Sequence, residues 1–134
     1  MQKKSMLTID DAMLVMDGAI AEAKKNHWAV AIALVDDGGH LLQFVRLDGA
    51  PPVSAYIAPE KARAAALGRR ETKIYEDMIN QGRTAFLSAP LQGMLEGGVP
   101  IIGEGQVVGA VGVSGVKSSE DAQVARAGIA ALGL

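Results

Sequence analysis

His27 and His40 are the only side chains here that could ligate a metal through imidazole near neutral pH, and no cysteine accompanies them. Neither lies in an H-E-x-x-H or H-x-x-x-H spacing, so a single chain offers no ready zinc site and no metal is expected on that ground. A lone histidine at a helix end or a turn exit also has a plain structural use, because partial positive charge is favoured at a helix C-terminus. Ser114 stands in Gly112-Val113-Ser114-Gly115, which approaches the G-x-S-x-G nucleophile elbow, but Gly115 comes one residue early. No base is tied to that serine by the sequence, so the glycines read instead as places of close backbone approach. Gly103-x-Gly105-x-x-x-Gly109 misses the dinucleotide fingerprint by one position and runs into a Val-rich strand rather than a helix. The segment Arg46-Leu47-Asp48-Gly49-Ala50, followed by Lys61 and Arg63, has another character. Charged residues in a glycine-containing loop directly after an apolar strand are placed as binding residues usually are. A local Arg46–Asp48 ion pair on a solvated loop is the plain alternative.

Positioning these residues needs elements that the periodicity supplies. Thr8-Ile9-Asp10-Asp11 opens a helix, with Thr8 as cap, and Ile9, Ala12, Met13, Met16, Ile20 and Ala23 recur at helical spacing to Lys25. Ala29 to Val35 predicts a strand that is apolar on both faces, hence covered on both by helices or by another subunit. Asp36-Asp37-Gly38-Gly39 predicts a hairpin turn, and His40 to Leu47 returns as the second strand. Ser54 to Arg70 reads as an alanine-rich helix and Thr72 to Gln81 as a shorter one, while Thr84 to Leu95 stays ambiguous. Val99 to Ile102 is a short strand whose Pro100 argues for an edge or a strand start. Gly103 to Gln106 turns into a strand over Val107 to Ser114. Ser118 is the expected cap of a last helix that faces Val124, Ala125, Ile129 and Leu132 inward. The order is α-β-β-α-(α)-β-β-α. The fold class is α+β, an antiparallel β-sheet flanked by α-helices in a two- or three-layer sandwich. Residues 1–134 form one domain, with 1–6 as a disordered N-terminal tail.

Composition narrows the function. The 134 residues are 49% hydrophobic but only 4% aromatic, so the core is built of small aliphatic side chains around 16 glycines. A net charge of −2 with interspersed signs gives no footprint for nucleic acid and no polybasic membrane patch. Cysteine is absent, which excludes disulfides, thiolate metal sites and covalent haem attachment. No apolar run approaches a membrane span, and Met1 to Met6 lacks an apolar leader core, so the expected location is cytoplasmic.

Taken jointly and in order, several segments carry a resemblance. They are Val35-Asp36-Asp37-Gly38-Gly39-His40-Leu41, Phe44-Val45-Arg46-Leu47-Asp48-Gly49-Ala50, Ser54 and Lys61-Ala62. Gly97-Gly98-Val99-Pro100-Ile101, Val108 to Gly115 and Asp121 complete the set. From about Leu7 to the end the chain resembles the GlcG/HbpS family, which includes the C-terminal domain of PduO. The resemblance implies helices flanking an antiparallel sheet, assembly into homo-oligomers from dimer to octamer, and haem binding in several members. Other members are linked to glycolate or diol metabolism. By the resemblance, Asp36, Gly38, Gly39, Arg46, Asp48, Gly49, Lys61, Pro100, Gly109, Gly112, Ser114, Gly115 and Asp121 match the family's pattern. Leu47 departs from it, standing where many members have Met. The axial-ligand position varies among members, so His40 and His27 both stay open as haem ligands.

The expected function is therefore an oligomeric small-ligand-binding protein, with haem or another tetrapyrrole as the ligand. Its ligand-binding candidates are Arg46, Asp48, Lys61, His40, Asp36 and Ser114. The cofactor would carry the chemistry, with cationic side chains for the propionates. The alternative is a metabolic accessory protein or enzyme acting on a small carboxylated substrate, with Arg46 and Lys61 as an anion clamp and Asp36 or Asp48 as base. A purely structural assembly module is the third reading. Arg46 and Lys61 are expected at one rim. No self-contained catalytic centre is apparent.

Overall fold

Thr8 and Asp11 exchange hydrogen bonds at the start of the first helix, α1 (Ile9–Lys25), as the sequence predicts. The Asp11 carboxylate accepts from the Thr8 N–H at 2.8 Å and the Thr8 hydroxyl accepts from the Asp11 N–H at 3.2 Å. The bond from the Thr8 N–H, and after it the one that the Thr8 hydroxyl donates to the same carboxylate at 2.9 Å, hold the Asp11 carboxyl below the ordinary carboxylate range. The structure, a computed structural model, describes residues 1–134. Ala12, Val15, Met16, Ala19 and Ala23 make the buried face of α1. Residues 1–8 form no regular element, and Lys4 reaches across to pair with Asp37.

The hairpin follows, β1 (Ala31–Asp36) and β2 (Leu41–Arg46). Asp36 Oδ1 accepts the N–H groups of Gly38 and His40, both at 2.9 Å, and Gly39 supplies the left-handed φ of +80° that the turn needs. Then come α2 (Ser54–Gly68), α3 (Thr72–Asn80), one turn of 3-10 helix (Thr84–Ser88), β3 (Gly98–Gly103), β4 (Gln106–Ser114) and α4 (Ser118–Ala130). The four strands form one antiparallel sheet in the order β2-β1-β4-β3, so Pro100 lies in an edge strand, where its missing N–H does no harm.

Helices cover both faces of the sheet's centre, which makes three layers. Val30, Ile32, Leu34, Val111 and Val113 point toward α1 and α4, where Val15, Ala19, Val124 and Ala125 meet them. On the other face Ala31, Ala33, Val35 and Ala110 meet Ala58, Ala62, Ala65 and Ala66 of α2. This second layer is alanine on alanine, and Gly112 lets it close. A Cβ there would fall inside the backbone of Ala58 and Ala62.

Two expectations change. Ser118 is the first residue of α4 rather than its cap, and the end is closed by Glu120, whose carboxylate accepts the Lys117 N–H at 3.3 Å. Leu132 falls beyond that helix. The apolar strand β1 needs no second subunit, because this chain's own helices bury it on both sides; the strand left open is β2, where Leu41, Leu42, Phe44 and Arg46 are exposed. No helix is long and apolar enough to cross a membrane.

Candidate functional site

The C-terminal end of α1 and the far end of the β1–β2 hairpin meet in a surface cleft of about 480 Å³, within the roughly 300–1,000 Å³ of small-molecule sites. How the chain leaves α1 builds one wall. Beyond Asn26, His27 takes a left-handed φ of 58°, uncommon for a side chain larger than glycine. Its N–H reaches Lys24 O at 3.1 Å, and the Trp28 N–H reaches Ala23 O at 2.9 Å. This reversal sets Lys24, His27 and Trp28 on the cleft. The opposite wall is the run after β2, held to the sheet by the bond from Leu47 N to Val30 O at 2.9 Å, and it contributes Val45, Arg46, Leu47 and Asp48.

The lining divides by chemistry. Trp28, Val45 and Leu47 are partly buried against the main core and supply an apolar floor with one aromatic ring. Lys24 and Arg46 supply two exposed cations, Asp48 one carboxylate, and His27 an exposed imidazole. No ion pair joins Arg46 to Asp48, so the local pair that would have kept Arg46 occupied does not form.

The other candidates lie elsewhere. Asp36 and His40 sit at the opposite end of the hairpin, where both Asp36 oxygens lie 3.1–3.2 Å from His40 Nδ1 and the ring is otherwise exposed. Ser114 is buried at the end of β4, opposite Ala31, which in turn faces Arg46; no hydrogen bond joins Ser114 to either histidine. The expectation of one rim shared by Arg46 and Lys61 is not met. The Lys61 side chain is 3% exposed, and its ammonium donates to Asp121 Oδ2 at 3.0 Å and to Val113 O at 2.9 Å. The missing side chain at Gly97 makes the room, since a Cβ there would stand 2.8 Å from Nζ. Burial pushes the Asp121 carboxyl above the usual carboxylate range, against the pull of Lys61 and of the Val116 N–H. The pair ties α2 to α4 past the end of β4. No group of three or more His, Asp and Glu side chains could hold a metal ion.

Sequence reasoning thus found Arg46, Asp48 and His27 without knowing that they share a cleft, and it missed Lys24 and Trp28. A signal was present. The only tryptophan directly follows His27, and Lys24 stands one helical turn before it.

Comparison with known proteins shows the family and the fold. A family model described as "Haem degrading protein HbpS-like" matches residues 7–130. Protein GlcG of Escherichia coli K12 is 56% identical over 114 residues, which cover 85% of each chain. The crystal structure of an HbpS double mutant from Streptomyces reticuli superposes with a TM-score of 0.89 at 32% identity, covering 100% of this chain and 92% of that one. A crystal structure described as a PduOC:heme complex superposes with a TM-score of 0.85 at 25% identity, over 95% of both chains.

Proposed function

Because the chain belongs to the HbpS-like family, we propose that it binds haem or a related tetrapyrrole, as a homo-oligomer, in the cleft between α1 and the end of the hairpin. One observation carries this reading: an exposed imidazole, two cations and the only tryptophan line the same cleft. Each suits a different part of the ligand. His27 offers a nitrogen to the iron, Trp28, Val45 and Leu47 offer apolar surface to the macrocycle, and Lys24 and Arg46 offer charge-assisted hydrogen bonds to the two propionates. The relative described as a heme complex supports the choice of ligand. Haem, when bound, supplies iron redox and ligand-exchange chemistry. The chain's own residues orient the macrocycle and fix which edge faces solvent.

The same cations favour a second reading, a small carboxylated substrate held by Lys24 and Arg46 beside Asp48 as base. Titration with haemin and with its dimethyl ester, followed by Soret absorbance, separates the two. Haemin should bind the wild type, and His27→Ala should lose the ligand-induced Soret shift. Arg46→Met should weaken haemin about tenfold while leaving the ester unchanged, since one charge-assisted hydrogen bond is worth about 1.5–3 kcal/mol and 1.4 kcal/mol is one decade. If His40→Ala removes the shift and His27→Ala does not, the iron is held at the other end of the hairpin and the cleft reading fails. If haemin does not bind while a small organic acid raises the melting temperature, the second reading holds.

A further inference from the structure

The outer side of α2 carries Val53, Tyr56, Glu60, Arg63 and Leu67 at steps of three and four residues, which places them in one stripe along the helix. Tyr56 is 77% exposed, Val53 56% and Leu67 41%, an unusual amount of large apolar surface for one helix face. The stripe continues onto the sheet. The core beneath α2 draws on β1 and β4 and takes no residue from β2. On that same face β2 therefore leaves Leu41 and Phe44 open, opposite Val35 and Ala33 of β1. The two surfaces run side by side. α2 starts just beyond the end of β2, and its C-terminal half packs Arg63 and Leu67 against Gly39 in the hairpin turn.

We infer that this face is where a second copy of the chain docks, the two α2 helices lying antiparallel across a two-fold axis. Charge complementarity selects that occupant. Glu60 and Arg63 stand one turn apart in the middle of the stripe, and neither makes an ion pair within the chain. In an antiparallel pair, the centre that places Glu60 of one copy opposite Arg63 of the other also places Tyr56 opposite Leu67. Tyr56 and Leu67 then meet and each of the two charges meets its opposite, twice over by symmetry, while Val53 lies outside the paired centre of the stripe. A face that is self-complementary about its own midpoint is what an isologous contact requires. Arg63, with a fork of donors and its stem packed on the turn, is suited to hold a carboxylate across the axis.

This inference rests on the homo-oligomer reading above and specifies the surface. Sedimentation velocity over a concentration series, on the wild type, Glu60→Arg, Arg63→Glu and the double variant, tests it. Each single reversal sets like charges opposite and should raise the dimer dissociation constant about tenfold or more. The double variant restores opposite charges and should return to within a few-fold of wild type. Tyr56→Ser serves as a milder probe that removes apolar contact without new charge, and circular dichroism on every variant checks the fold. If the wild type associates but the single reversals do not weaken it, or the double variant recovers nothing, this surface is not the interface and self-association stands. If the wild type is a monomer at tens of micromolar, both readings fall. The haemin titration is read independently in either case.

Discussion

Lys61 shows what the individual residue can hide. A lysine seven positions into an exposed-looking helix reads as a rim cation, but here its stem travels inward and its charge ends beside Asp121 with both side chains 3% exposed. Removing one partner of such a pair leaves a buried charge uncompensated. Asp121→Ala should therefore destabilise the protein by about 3–5 kcal/mol, measured by chemical denaturation, while Lys61→Met combined with Asp121→Leu should recover most of that loss. Recovery would show that the pair is retained for something other than stability. The sequence could not place Lys61 because the direction of a long flexible stem depends on what is absent around it, in this case a side chain at Gly97. Arg46 was easier to read, since the strand before it fixes where its backbone emerges. His27 was legible singly and Trp28 was not singled out; the place of both on the cleft follows from a left-handed backbone turn that a histidine in the sequence does not announce.

Among the elements, the legible ones have strong local signals. The Thr8–Asp11 box starts α1, the Asp36 turn closes the hairpin, and the Gly103–Gln106 turn between two apolar runs gives β3 and β4, all close to their expected bounds. The segment from Thr84 to Leu95 gave no period because it has none: one 3-10 turn leads into irregular chain. The turn is held by the stacking of Phe86 on Tyr75 with ring centroids 5.2 Å apart, a tertiary contact with no local signature. The α2–β4 contact makes the sharpest element-level prediction. Gly112→Val would drive a side chain into the backbone of Ala58 and Ala62, and backbone cannot move aside as a side chain can. The cost should be about 3 kcal/mol or more, at the upper end for overpacking, read as a fall in melting temperature. Gly103→Ala, whose Cβ would meet only the Val108 side chain at 3.3 Å, is the control and should melt near wild type.

For the molecule as a whole, the sheet order decides which parts open first. β1 and β4 are central strands paired on both sides and covered on both faces, whereas β2 and β3 are edges. Native-state hydrogen exchange should find the slowest amides in Ala31–Val35 and Val107–Val113, with those of β2 and of residues 82–97 exchanging far faster. Equal protection of β2 and β1 in dilute monomer would contradict the layering described here. The fold class and element order were within reach of the sequence, which left two or three layers open, because an apolar strand with no polar face admits few environments. Which side of the sheet stays open was not, because that depends on how far α2 extends sideways over β2.

The alanine layer under α2 has one more consequence, which concerns entropy. Ala58, Ala62, Ala65, Ala66 and their partners Ala31, Ala33 and Ala110 have no χ angles to lose, so ordering them costs backbone freedom alone. With Val35 the one side chain in this layer that has a rotamer to change, the spacing is set almost wholly by backbone meeting methyl group, which leaves α2 little room for an alternative seating. A helix held like this cannot adapt to whatever docks on its outer side. A partner must fit the stripe as it stands, and the conformational cost of docking then falls on Tyr56, Arg63 and Leu67 rather than on the helix that carries them.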